Sequence, residues 1–119
     1  MFFRSERHIV AEGKADAFSA FFVRQLLPIR EKYGARLVGR WQTDDEVEVL
    51  SIWAYESREA AEEIDELVNG DRATAEAQEF QERYLEPLYH EQVETPLYST
   101  VPLEQTALGT LAFPPPVRR

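Results

Sequence analysis

Residues 2–101 switch back and forth between two kinds of periodicity, and the order of the switches limits the fold more than any single motif does. Alternation at every second position belongs to a strand with one buried face. Recurrence at steps of three and four belongs to a helix with one buried stripe. Residues 2–10 alternate, with Phe3, Ser5, Arg7 and Ile9 on one parity and Arg4, Glu6, His8 and Val10 on the other. Glu12-Gly13 is the turn that ends this strand. In residues 15–33, Phe18, Phe22, Leu26, Ile29 and Tyr33 follow at steps of 4, 4, 3 and 4, which is a helical stripe. Asp16 near its start and Arg30 and Lys32 near its end suit the helix dipole, and Gly34 is a ready left-handed stop. Pro28 lacks the N–H that would bond the Arg24 carbonyl, so a kink near Arg24 is expected.

Residues 35–43 and 46–55 read as two strands joined by a short acidic turn, a hairpin. On the second, Val47, Val49, Ser51, Trp53 and Tyr55 share one parity and Glu48, Leu50, Ile52 and Ala54 the other. Apolar groups on both parities towards its end predict burial on both sides. Ser57 caps a helix with Ala60, Ile64, Leu67 and Val68 inward, stopped by Asn69-Gly70. Asp71 caps another, in which Ala73, Ala77, Phe80 and Tyr84 repeat, ending by Pro87. Residues 89–101 are strand-like, and Pro96 makes that strand a sheet edge or breaks it there.

The order β-α-β-β-α-(α)-β predicts an α+β domain over residues 1–101: a ferredoxin-like four-stranded antiparallel sheet with helices on one face. Residues 102–119 are expected to be an extended arm with a Pro-rich tail. Helices on one face leave the other uncovered, and a second copy is the expected cover. The expectation is a homodimer whose two sheets close a barrel, with residues 98–111 crossing to the partner.

Charge and composition remove several function classes. Lys and Arg number 13 against 22 Asp and Glu, a net charge of −9, so neither nucleic acid nor an anionic membrane is an expected partner. The absence of cysteine removes disulfides, thiolate nucleophiles, iron–sulfur clusters and Cys-bearing zinc sites. No apolar run has a spanning length, and residues 1–7 hold no signal-peptide core, so the expected location is the cytoplasm. There is no Gly-rich phosphate loop and no Gly-x-Ser-x-Gly elbow.

The groups left for chemistry are few. His8 and His90 are the only histidines, and their spacing has no metal-ligand pattern, so no metal and no cofactor is expected. Arg4, Glu6 and His8 share one strand face, which is either a polar pocket, a structural ion pair or a dimer seam. Trp53 and Tyr55, two residues apart, face the same way. With Trp41 on the neighbouring strand and His8, they form the candidate ligand-binding set, against the alternative of core packing. Arg36 and Arg40 share a parity and either hold a carboxylate or pair with Glu46 or Glu48 across the hairpin.

Two stretches carry a family likeness: Lys32-Tyr33-Gly34-Ala35-Arg36-Leu37-Val38-Gly39-Arg40-Trp41, and Leu50-Ser51-Ile52-Trp53-Ala54-Tyr55-Glu56-Ser57. Together with the helix-internal Leu27-Pro28, they resemble the NIPSNAP family of the dimeric α+β barrel superfamily, over residues 2–100. One departure stands out. Where the family's first strand reads close to Glu-x-Arg-x-Tyr, this chain has Arg4, Glu6 and His8. The resemblance implies a homodimer with a small-molecule pocket between sheet and helices and no assigned reaction. It also implies alternatives. One is a cofactor-independent monooxygenase acting on an aromatic substrate, with Trp53, Tyr55 and His8 around the cavity and His8 as base. Others are a haem-binding relative with His8 or His90 on iron, and an interaction module with no reaction at all.

Overall fold

The computed structural model describes residues 1–84 and 87–105. Its strands are β1 (Phe2–Val10), β2 (Arg36–Gln42), β3 (Glu48–Tyr55) and β4 (Tyr89–Leu97). The helices are α1 (Ala15–Phe21), α2 (Leu27–Lys32), α3 (Arg58–Asn69) and α4 (Arg72–Tyr84), with a short 3₁₀ turn at Leu103–Gln105. The sheet order is β2-β3-β1-β4, antiparallel throughout, as the ferredoxin-like reading requires. β4 is an edge strand, where Pro96 withholds no needed donor. The Pro-rich tail and most of the proposed crossing arm, residues 106–119, lie outside the described residues.

The hydrogen-bond ladder of the first helix changes around Arg24. Phe22–Leu26 forms a π-helical turn between α1 and α2, and the Leu27 N–H donates to the Phe22 carbonyl five residues back. Proline forbids the α-type bond to Arg24 and its ring would press on that carbonyl; the wider turn relieves both. At the far end Gly34 takes φ +106°, a conformation costly for any residue with a Cβ, and turns the chain into β2.

Two apolar clusters fill the space between sheet and helices. Phe22, Ile29, Tyr33, Trp53, Tyr55, Ala61 and Ile64 make one; Val10, Phe18, Phe21, Val49, Ala77 and Leu88 make the other. Polar clamps hold the helices in place. Arg4 donates to both oxygens of Asp65 on α3 at 2.8 and 2.7 Å and to the Tyr55 hydroxyl at 2.8 Å. Ser57 Oγ accepts the Ala60 N–H at 3.0 Å, the expected cap of α3. Asp71 caps α4 by accepting the Ala73 N–H at 2.7 Å. The same carboxylate accepts the Tyr33 hydroxyl and, at 3.0 Å, the Lys32 ammonium. The Tyr33 bond, then the Ala73 N–H and Lys32, hold the Asp71 carboxyl well below the usual carboxylate range.

A bulge in β2 between Leu37 and Gly39 corrects two expectations. Arg36 lies opposite Ala54 and Arg40 opposite Ser51, so the two arginines that share a parity in sequence fall on opposite faces. Neither pairs with Glu48 across the hairpin: Arg36 sits opposite Ala54 at its far end, Arg40 is on the other face, and Glu48 bonds Arg7 on β1 at 2.5 Å. Trp41 follows the same shift. It lies opposite Leu50, on the face away from the helices, 53% exposed, with its ring so close over Gly39 that a Cβ there would collide with it. Trp41, Leu50 and Val93 are exposed apolar groups on this outer face, as a sheet with helices on one side predicts. Only near the β3 end, at Phe3 and Ala54, is the outer face buried as well.

Candidate functional site

Between the helix-facing side of β1 and β4 and the helices lies a cavity of about 260 Å³. Its floor is polar: Glu6, His8 and Gln92 from the sheet, with Arg30 reaching down from α2. Its helical wall is mixed: Phe21, Leu26, Ile29 and Val68 are apolar, and Asn69, Thr74, Gln78 and Gln81 are polar.

The centre of the floor is an ion pair. Arg30 donates to both oxygens of Glu6 at 3.0 and 2.9 Å, and Gln92 Nε2 adds a third bond at 2.8 Å. Glu6 is only 2% exposed. Burial pushes its carboxyl up, but the charge and the two bonds of Arg30 outweigh that, and the carboxyl titrates below its ordinary range. A face of the Arg30 guanidinium lies over the Trp53 ring, 4.8 Å from its centre.

His8 stands beside this pair, held edge-on between the rings of Phe18 at 4.8 Å and Tyr89 at 4.7 Å. Its Nδ1 is buried without a hydrogen-bond partner. Burial, with the charges of Arg30 and Arg40, pushes its pKa below the ordinary value of 6.5 against the opposing pull of Glu6. The imidazole is therefore neutral near pH 7. Native His8 resists a proton that the unfolded chain accepts, so stability should fall as pH drops through 6.5, by up to about 1.4 kcal/mol per unit, until native His8 itself titrates. Urea midpoints at pH 7.5 and 5.5 check this: His8→Phe should flatten the loss, and an unchanged slope would assign it elsewhere.

The candidate set from the sequence is only partly assembled. His8 lines the cavity. Trp53 and Tyr55 are each 1% exposed and sit in the core beside it, not among its lining residues. His8 lies opposite Val49, four residues from Trp53 along β3, roughly 13 Å at the strand rise, so the antiparallel register keeps them apart. Trp41 is on the opposite side of the sheet. His90 is exposed, at the irregularity where β4 pairs with Ile9 and Val10 through Glu91 and Tyr89, and does not line the cavity.

Arg30 is the residue that periodicity missed. An uninterrupted α-helix would set it about 120° round from Phe18, off the buried stripe. The π-helical turn takes back roughly one residue of rotation, about 100°, and swings Arg30 onto Glu6. The signal in the sequence is Pro28, which accompanies a change of helical phase.

Among the described residues, no group of three or more acidic or histidine side chains could hold a metal ion. No helix among them is long and apolar enough to cross a membrane.

No protein-family model and no curated protein matches the chain. Solved structures do. A NIPSNAP domain protein from Burkholderia xenovorans is 22% identical, covering 84% of this chain and 95% of that one, at a TM-score of 0.69. A NIPSNAP-like domain protein from the same organism is 20% identical over 98% of this chain and 94% of that one, at 0.71. A protein from Nitrosomonas europaea, named as a candidate antibiotic biosynthesis monooxygenase, is 14% identical over 85% of this chain and all of its own, at 0.61. The chain thus has the ferredoxin-like α+β fold of the NIPSNAP domain proteins.

Proposed function

We propose that the chain is a NIPSNAP-type protein that binds a small molecule in the cavity between sheet and helices and acts as a homodimer. One observation carries the binding reading: a cavity of about 260 Å³ where the polar groups Glu6, His8, Arg30 and Gln92 converge opposite a helical wall of mixed polarity. That volume suits a compound of about one ring. His8 is the ligand contact, while Trp53 acts on the site through Arg30. Thermal-shift screening of small ring compounds, followed by titration, tests it. Ile29→Trp or Val68→Phe should fill the space and weaken any such ligand at least tenfold. Ligands that bind both variants unchanged would place binding elsewhere.

The homodimer reading is supported by the outer sheet face, where Trp41, Leu50 and Val93 are exposed. An interface closing two such sheets should bury more than about 2,000 Å². Light scattering at micromolar concentration should give twice 13.8 kDa, and Leu50→Arg should halve it. A monomeric wild type would end this reading.

A second reading, cofactor-independent oxygenation of an aromatic substrate, is favoured by His8 alone. A neutral imidazole at a cavity wall is in the state a general base needs. Oxygen uptake with a bound phenol, lost in His8→Phe, would support it. Binding without uptake leaves a binding protein.

A further inference from the structure

The cavity between sheet and helices opens towards one edge of the molecule. Gln78 and Gln81 of α4 and Tyr89 of β4 line both it and a neighbouring surface depression of about 460 Å³, whose other described lining residues are Glu82 and Pro87. The way in therefore runs between α4 and the edge strand β4. Charge is unevenly spread along this path. Among the described lining residues, the cavity has two acids, Glu6 and Glu94, against one base, Arg30, and its mouth adds Glu82 and no base. His8 is neutral near pH 7 and supplies no further positive charge.

The two acids of the cavity are placed alike but partnered differently. They lie opposite each other on β1 and β4, on the helix-facing side of the sheet. Glu6 holds Arg30 through both oxygens and Gln92 through a third bond. Glu94, with its side chain 45% exposed, has only Arg4, at 3.9 Å. Arg4 in turn is committed to both oxygens of Asp65, at 2.8 and 2.7 Å, and to the Tyr55 hydroxyl. Glu6, Asp65 and Glu94 thus face two bases, Arg4 and Arg30, and the cluster is one positive charge short. Burial pushes the Glu94 carboxyl above its ordinary value of 4.5; Glu6 and Asp65 push the same way, and Arg4 and Arg30 do not make up the difference. Two more groups of the lining point to a polar ligand. His8 is 5% exposed and its Nδ1 has no hydrogen-bond partner. Gln92 gives its Nε2 to Glu6, which leaves its amide oxygen to accept. Acceptors and an excess of negative charge suit an ammonium. A ligand carboxylate would instead be set against Glu6 and Glu94.

We propose that the cavity takes a small ring compound bearing a protonated amine, with Glu94 as the receptor for its ammonium group. This rests on the cavity reading and adds the charge of the ligand to it. Benzylamine is the probe. Benzyl alcohol, of nearly the same shape without the charge, and benzoate, of the opposite charge, are its controls. Calorimetric titration at pH 7 should find benzylamine at least tenfold tighter than benzyl alcohol, with benzoate the weakest of the three. Glu94→Gln keeps the shape and removes the charge, so it should bring benzylamine to the level of benzyl alcohol. Glu59→Gln, at an exposed position in the first turn of α3, changes the net charge equally and should leave benzylamine binding as it is. In ¹⁵N-labelled wild-type protein, benzylamine should shift the Gln92 Nε2 resonances to saturation, a readout that depends on no variant folding. Equal binding of benzylamine and benzyl alcohol, or a preference for benzylamine that survives in folded Glu94→Gln, would overturn the amine assignment; loss of both compounds in Ile29→Trp would then still keep the cavity reading. Benzylamine binding undiminished by Ile29→Trp would be attraction to the acidic surface and would overturn the assignment as well. No benzylamine binding at millimolar concentration would overturn the amine assignment alone, because the wider screen of ring compounds decides the cavity reading.

Discussion

Arg30→Met should lower the unfolding free energy by about 3–5 kcal/mol, because it strands a carboxylate that the fold has removed from water. The Glu6 side chain is 3% exposed, and without Arg30 only the Gln92 amide remains on it, at 2.8 Å. The sign of the pH dependence follows. With Arg30 gone, burial raises the native Glu6 pKa above its ordinary value of 4.5, so native protein binds a proton that the unfolded chain releases. The deficit relative to wild type at the same pH should therefore shrink between pH 8 and pH 5. Glu6→Gln should cost less, since the Arg30 side chain, 22% exposed, keeps some access to water. The double change Glu6→Leu, Arg30→Met should recover most of the loss. Urea unfolding at the two pH values measures all of these. A cost below about 1 kcal/mol for Arg30→Met would mean that Glu6 is hydrated or protonated in the native state.

Trp53→Ala should cost a similar about 3–5 kcal/mol, for a different reason. The indole is 1% exposed, packs on Phe22 at 5.9 Å and carries Arg30 at 4.8 Å on its face. Truncation leaves a cavity and also frees Arg30 from one of its two supports. The two effects share a partner, so Trp53→Ala combined with Arg30→Met should cost less than the sum of the singles, by about 1 kcal/mol. Trp53→Leu separates packing from ligand contact. A folded but less stable protein that still binds its ligand assigns the ring to the core, whereas unchanged stability with binding lost assigns it to the ligand.

Much of the fold was readable because it depends on local periodicity. The alternation in β1 and β3, the stripe of Phe18, Phe22, Ile29 and Tyr33, the Ser57 and Asp71 caps and the edge position of Pro96 all follow from residue type and spacing. The site was less readable because two local irregularities change phase. The β2 bulge sends Trp41 and Arg36 to the outer face and leaves Arg40 inside. The π-helical turn brings in Arg30. Neither shift appears in the spacing of apolar residues, since each moves the side chains that lie beyond it. The shared face of Arg4, Glu6 and His8 was legible, but their partners, Asp65 on α3 and Arg30 on α2, come from helices whose docking no local pattern encodes.

The π-helical turn also bears on how this chain should be compared with its relatives. A turn of this kind absorbs one extra residue without disturbing the helix on either side. A homologue one residue shorter between positions 22 and 26, with no proline at 28, could run straight through as an α-helix and still present its equivalents of Phe18 and Arg30 to the sheet. Alignments that forbid gaps inside helices would then shift α2 by one column and set Arg30 against a residue that faces elsewhere. Deleting Val23, an exposed residue of the turn, together with Pro28→Ala should produce that shorter helix with the Glu6–Arg30 pair intact.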